Sequence, residues 1–453
     1  MPSPNSSDAT REIAFANFTC ASSNKVLGME VGMKKSRILI TIFAAVMLHI
    51  LMCSVQVKAE EAWPWVYEIN PYNQYEVIIT GYVGNEKNVT VPDSINGIAV
   101  GCIKGAFYNN DTIKSVTIPD TIRRLESVYT NENGNYVVKG AFAECDNLIS
   151  VKNARGIEAY AERTFENCKK LRNVKIYGGS GIPGRMFYGC KSLKNIRIPS
   201  NMTKISYCAF EKCLSLKKVT GAASVTTCET KAFYNCRKLQ VVNLGKIKSI
   251  SEYMFYNCSN LKKVKIPNSV TDIQRGAFAK TGLTSVNIPS SVRYIGGGIY
   301  DVIYKLCNGA FDSCKNLKTV KGGKNVKIYG ICAFRNCTGL KSVSLGKVTV
   351  LKREMFSGCK SLKSIKIPST VRALKDKTFY GCTGLKKVKI PQKTMEIGKQ
   401  TFGNCTSLKS MVIPKTVEEI YTDSVDNSVT LILYKNSYAA NVMQNREKLL
   451  IVQ

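Results

Sequence analysis

Apolar residues along this chain recur in a fixed order at a long period. A phenylalanine stands at Phe107, Phe142, Phe165, Phe187, Phe210, Phe233, Phe255, Phe278, Phe311, Phe334, Phe356, Phe379 and Phe402. The spacing is 22 or 23 residues except for two longer steps, Phe107 to Phe142 and Phe278 to Phe311. Six residues after the phenylalanine comes a leucine, as at Leu171, Leu193, Leu261, Leu362 and Leu385; Ile113 takes the place once, and the copy at Phe278 is one residue short. Val or Ile follows, and often Ile-Pro, as in Val388-Lys-Ile390-Pro391.

Leu-x-x-Val-x-Ile predicts a short strand with Val and Ile on its buried face. Proline ends the strand because it has no donor for the ladder. The next segment, Thr-x-x-Ile-x-x-x-x-Phe, predicts a return turn that carries another Ile and the Phe inside. One such unit cannot bury its apolar face alone, but stacked neighbours can. The expected fold is therefore an α/β-type repeat solenoid, mostly β and turn, with one short parallel β-strand per 22–23-residue repeat. At about 4.8 Å per strand, thirteen copies extend on the order of 60 Å.

The pattern Ala-Phe-x-x-Cys-x-x-Leu-x-x-Val-x-Ile-Pro resembles the BspA-like leucine-rich repeats of secreted and surface bacterial proteins. Ala141-Phe142 with Cys145 and Leu148, and Ala333-Phe334 with Cys337 and Leu340, are close matches. The resemblance runs from about residue 75 to 445. It implies a right-handed solenoid with an entry cap around Tyr75–Pro92 and a closing cap in which a short helix after Tyr434 feeds a last strand at Leu449–Val452. The domain layout expected is a non-structural extension (1–32), a signal peptide (33–59), an N-terminal cap (60–100), the solenoid (101–420) and a C-terminal cap (421–453). The resemblance also implies adhesion to extracellular or host proteins, although functions on one fold are diverse.

Eleven of the thirteen copies place a cysteine three residues after the phenylalanine: Cys145, Cys168, Cys190, Cys213, Cys236, Cys258, Cys314, Cys337, Cys359, Cys382 and Cys405. Stacked slots about 5 Å apart lie within disulfide range. Yet no copy has a C-x-x-C pair, the slot count is odd, and Asn110 and Thr281 occupy the same slot. The reading taken is a ladder of buried free thiols. The resemblance implies that this slot satisfies backbone groups of the turn. Unpaired thiols in a secreted chain point to an oxygen-poor setting. Five further cysteines, Cys102, Cys208, Cys228, Cys307 and Cys332, lie off the slot and are also expected to be buried, with a bridge among them left open.

The residues flanking the inward Val of each strand are expected on the concave face. They include Lys152, Lys175, Arg197, Lys218, Lys263, Lys265, Lys321, Lys366, Lys387 and Lys389, interleaved with Ser, Thr and Asn and with no acidic residue. Such faces are the usual recognition surface of solenoids, and a single-sign field there attracts anionic partners. The opposing reading is lysine used only for solubility. Two inserts, near 125–138 and 296–306, break the period and predict loops on one face. Each brings two tyrosines, Tyr129 with Tyr136 and Tyr300 with Tyr304, as candidate contacts. Asn-x-Ser/Thr sequons at Asn88, Asn110, Asn201, Asn257, Asn336 and Asn404 are read as by-products of the repeat.

Charge and composition narrow the function. Lys and Arg total 65 against 32 Asp and Glu, a net charge of +33, and His49 is the one histidine. Chemistry that needs paired histidines is excluded. No paired carboxylates and no phosphate-cradling glycine loop appear, so no enzyme, metal or cofactor is expected. Lys34, Lys35 and Arg37, the apolar run Ile38–Val55 and the small residues Val57 and Ala59 predict a cleaved secretory signal; an uncleaved membrane anchor is the alternative. The expectation is a secreted or cell-surface monomer that binds an extracellular or host protein, or an acidic glycan or wall polymer. A module held to the cell's own anionic wall by charge is the alternative. Specific nucleic-acid binding is not expected, because the face has few aromatics for base stacking.

Overall fold

The computed structural model describes residues 60–132, 134–296 and 309–453. The expected signal segment, His49, Cys307, Tyr300 and Tyr304 lie outside them. From Ala59 to Gln453 the chain forms one compact unit.

The unit is a stack of repeats whose strands pair in parallel, with register set repeat on repeat. A front row of strands carries the Val positions. It begins Asn88–Thr90, Ser115–Thr117, Ser150–Lys152 and ends Ser410–Val412, Thr430–Tyr434, Leu449–Val452. Within it, Asn195 pairs with Lys218 and Arg197 with Thr220, so equivalent positions form straight columns.

The segment read as a return turn does more than turn. Its Ile makes a second parallel ladder, the back row. This runs from Ile98–Lys104 and Arg124–Glu126 through pairs such as Lys204–Ile205 and Thr227–Cys228 to Glu419–Ile420. Most repeats thus hold two short strands. The physical reason is that the Ile side chains stack as well as the Val side chains do, and neighbouring backbones at that spacing satisfy each other's polar groups. Helix is confined, among the described residues, to one turn at Ala154–Gly156 and to Tyr438–Val442, which Ser437 caps through its side chain.

Between the rows lies the phenylalanine column. All thirteen rings are buried and stack in register, with centroids 5.0 Å apart for Phe107 and Phe142 and 5.4 Å apart for Phe210 and Phe233. Tyr82 and Trp65 continue the stack at the N-terminal end. They come from the antiparallel hairpin Trp65–Asn70 and Asn73–Tyr82, which joins the back row through Ile98–Lys104. At the other end Phe402 pairs with Val425, and Thr430–Tyr434 receives the final strand Leu449–Val452. Both ends of the apolar column are therefore covered.

The turn after each phenylalanine has one backbone conformation. The residue two beyond the Phe has positive φ in all thirteen copies, for example Asn167 (57°), Gly189 (71°), Asn235 (60°) and Asn404 (56°). Asn and Gly tolerate this left-handed region best. The sequons at Asn257, Asn336 and Asn404 follow from it, since Cys and then Ser or Thr succeed the turn asparagine.

Candidate functional site

The cysteine slot is part of the scaffold. Each slot thiol is buried and donates to the carbonyl of the phenylalanine one repeat earlier. Cys145 Sγ reaches Phe107 O at 2.8 Å, Cys213 reaches Phe187 O at 3.0 Å and Cys405 reaches Phe379 O at 3.2 Å. Cys168, Cys190, Cys236, Cys258, Cys314, Cys337, Cys359 and Cys382 repeat the bond. The described cysteines are all free thiols. Burial raises the thiol of Cys145 to about 12 and those of Cys168 and Cys236 well above their usual range; at Cys314 burial also raises it, but hydrogen bonds with Cys337 and Thr281 outweigh that and the net direction is down. Off the slot, Cys102, Cys228 and Cys332 are buried as expected. Cys208 is a correction: it is only partly buried, whereas Cys332, at the same position two before its Phe and with the same left-handed backbone (φ 58° against 52°), is buried.

The front row carries the candidate binding residues. Lys152, Lys175, Arg197, Lys218, Lys263, Lys265, Lys321, Lys366, Lys387 and Lys389 are all exposed there. A second basic column escaped the sequence reading. The residue after the leucine, just before each strand, is Lys114, Arg172, Lys194, Lys217, Lys262, Lys318, Lys341, Lys363, Lys386 and Lys409 in ten of the thirteen copies, all exposed. Its signal was the recurring Leu-Lys dipeptide. Backbone bonds such as Lys217 N to Lys194 O (2.7 Å) and Lys386 N to Lys363 O (2.9 Å) tie these positions repeat to repeat.

Acidic residues sit elsewhere. Asp272, Glu396 and Glu419 lie on the back row, while Glu166, Asp312 and Glu354 lie in the phenylalanine turns. There several of them meet cations. Asp312 binds Arg335 at 2.7 Å, Glu229 binds Lys204 at 2.7 Å, and buried Glu166 is bonded by Arg185. Among the described residues, none of the fourteen ion pairs involves a cation of the front row or of the column beside it. The surface is therefore divided by charge: the carboxylates and their ion pairs lie at the back and turns, and the front-row cations have none.

The first insert is an antiparallel hairpin, Val128–Glu132 against Asn135–Lys139, with Tyr129 and Tyr136 exposed at 64% and 84%. Lys139 closes it onto Glu132 at 2.7 Å and lies over the Tyr108 ring. No group of three or more metal-ligating side chains occurs among the described residues. No described helix is long and apolar enough to cross a membrane.

A parallel-stranded solenoid with a buried ring column and an outward polar row is a repeat protein of the leucine-rich class. The model of the BspA type leucine-rich repeat region matches residues 82–180, 180–306 and 304–432, and the chain belongs to that family. Its members are generally non-enzymatic. A leucine-rich repeat protein from Bacteroides ovatus is similar at 22% identity and TM-score 0.54, covering 83% of this chain and 99% of that one. A leucine-rich cell surface protein from Faecalibacterium prausnitzii is similar at 24% identity and TM-score 0.48, covering 78% and 94%. No curated protein gives a significant match.

Proposed function

We propose that this chain is a secreted or cell-surface binding protein whose front row holds an anionic extracellular partner, an acidic glycan or an acidic patch on a protein. The observation that carries this reading is the charge division. Some back-row and turn cations find carboxylates within 4 Å, while among the described residues no front-row cation does. Adjacent cations about 5 Å apart repel by about 0.8 kcal/mol per pair even at the dielectric of water. Such a surface costs stability that an anionic partner offsets. The Faecalibacterium protein, described as a cell surface protein, agrees with an address outside the cell.

The test is binding of residues 60–453 to a panel of acidic glycans, wall polymers and matrix proteins at low and high salt. Tight binding to one member that survives about 0.5 M salt, where the Debye length is only a few ångströms, supports specific recognition. Weak binding to every polyanion, lost at high salt, supports instead a module tethered to the cell's own wall.

A further inference from the structure

The front row is not a continuous ladder. Its pairing stops after Ser150–Lys152, with a single bridge from Ser150 to Asn173, and resumes at Asn195–Ile198. Near the other end, Ser364–Ile365 pairs with Lys387–Val388, but Lys387–Val388 does not pair with Ser410–Val412. Two further breaks fall between Val241–Val242 and Ser285–Ile288 and between Ser342–Val343 and Ser364–Ile365; at the first and the last of the four the surface opens into a groove. The first groove has a volume of about 790 Å³ and the second groove about 710 Å³.

The two grooves share a composition. Lys175, Arg197 and Lys218 line the first; Lys386, Lys387 and Lys409 line the second; neither is lined by a single Asp or Glu. These six cations join no ion pair and no ring contact among the described residues. Hydroxyl and amide groups stand beside them, Asn195 and Thr220 in one groove and Thr406 and Ser410 in the other, over apolar floors such as Ile198 and Met411. Cations, hydrogen-bonding groups and an apolar floor together suit a charged sugar ring better than a peptide carboxylate, which needs the cation alone.

We infer that the grooves are two matched subsites for one linear acidic polysaccharide lying along the front row. Nine repeats separate them, which at about 4.8 Å per strand is roughly 45 Å. A chain long enough to span that distance engages both at once and gains avidity over a fragment that cannot. The inference rests on the anionic-partner reading and narrows it to a polymer class with a defined reach.

The experiment titrates residues 60–453 with size-fractionated heparin, a sulfated uronate polysaccharide, at about 0.15 M salt. Fractions shorter than the span are expected to bind two per protein, and longer fractions one per protein at least tenfold more tightly. Three variants are compared: Lys175→Gln with Arg197→Gln and Lys218→Gln; Lys386→Gln with Lys387→Gln and Lys409→Gln; and a control, Lys318→Gln with Lys321→Gln and Lys341→Gln. The control removes the same charge from an unbroken stretch of ladder. Either groove variant is expected to abolish the length advantage, and the control to keep it. Equal losses from all three overturn the two-subsite inference while leaving the basic-face reading intact. Binding of polyglutamate with the same groove and length dependence overturns the polysaccharide assignment. No binding of any polyanion by the parent chain removes both readings.

Discussion

Cys236 Sγ donates to the carbonyl of Phe210 at 3.0 Å, and the amide of Cys213 donates to the same oxygen at 3.1 Å. The thiol fills the second acceptor site of a carbonyl that has no route to water. Its bulk also lies among fully buried neighbours. Cys236→Ala therefore removes one hydrogen bond and leaves a small void, at a cost of about 1–2 kcal/mol. Cys236→Val fills the void without a donor, and Cys236→Ser keeps a donor with less bulk. Denaturant unfolding should rank Ala and Val below the parent. A Val variant as stable as the parent would mean that packing, and not the S–H bond, selects cysteine. The same substitution several repeats away, at Cys359, is expected to add to the first, since distant sites in a solenoid couple weakly.

Cys208 is the exception among the described thiols and makes the second prediction. Burial first, then the hydrogen bond and charge of Glu211, push its thiol to about 12. A thiol raised above its ordinary value carries less thiolate at every pH below that value. In residues 60–453 carrying Cys307→Ser, native labelling with a neutral maleimide should modify one site, Cys208. Its rate should rise about tenfold per pH unit from 8 to 10 instead of levelling off near 9. Glu211→Gln should speed labelling at pH 8. Rapid labelling of several cysteines in the native state would contradict a closed thiol column.

Much of this was readable before any coordinates. The phenylalanine period reports a column that must stack, and every ring does. Cysteine at a slot that also accepts Asn110 and Thr281 reports a small buried polar group. Other features depend on what lies alongside. The back ladder was missed because Thr-x-x-Ile gives only two paired residues per repeat, too few to show alternation. The asparagine before many cysteines looked like a glycosylation accident, but its cause is the positive φ shared by Asn235, Asn257 and Asn336. The grooves were invisible because a break in pairing between Asn173 and Asn195 is a relation between two repeats, and neither repeat's own residues announce it.

The N-terminal cap yields a pH prediction. Arg124 binds Glu76 at 2.9 Å and Asn70 also donates to that carboxylate. Burial alone raises the Glu76 carboxyl, but the bonds from Arg124 and Asn70 outweigh it and the net direction is down. A carboxyl lowered in the folded state contributes stability above its unfolded value of about 4.5, and that contribution fades as pH falls through the folded value. The parent chain should therefore lose stability between about pH 5 and 3 more steeply than Glu76→Gln. Gly101→Ala should mimic the loss at pH 7, because its Cβ would lie 1.9 Å from the Glu76 carboxylate oxygen. Parallel pH profiles for parent and Glu76→Gln would remove the ion pair from the stability of the cap.

The unneutralised front row makes a prediction about salt that needs no ligand. The net charge is +33, and the front cations stand in columns with no carboxylate between them. Their repulsion is long-ranged at 0.01 M ionic strength, where the Debye length is about 30 Å, and largely screened at 0.3 M. Ion pairs at the back and turns respond in the opposite sense, but most are surface pairs, each contributing about 1 kcal/mol or less. Repulsion is the larger effect, so the melting temperature of residues 60–453 should rise by several degrees as sodium chloride increases across that range. Replacing Lys194, Lys217, Lys341, Lys363, Lys386 and Lys409 by Gln should raise the low-salt melting temperature and flatten the rise. A melting temperature that falls with salt would show that the paired carboxylates of the back row dominate, and the front row would then carry no stored repulsion for a partner to relieve.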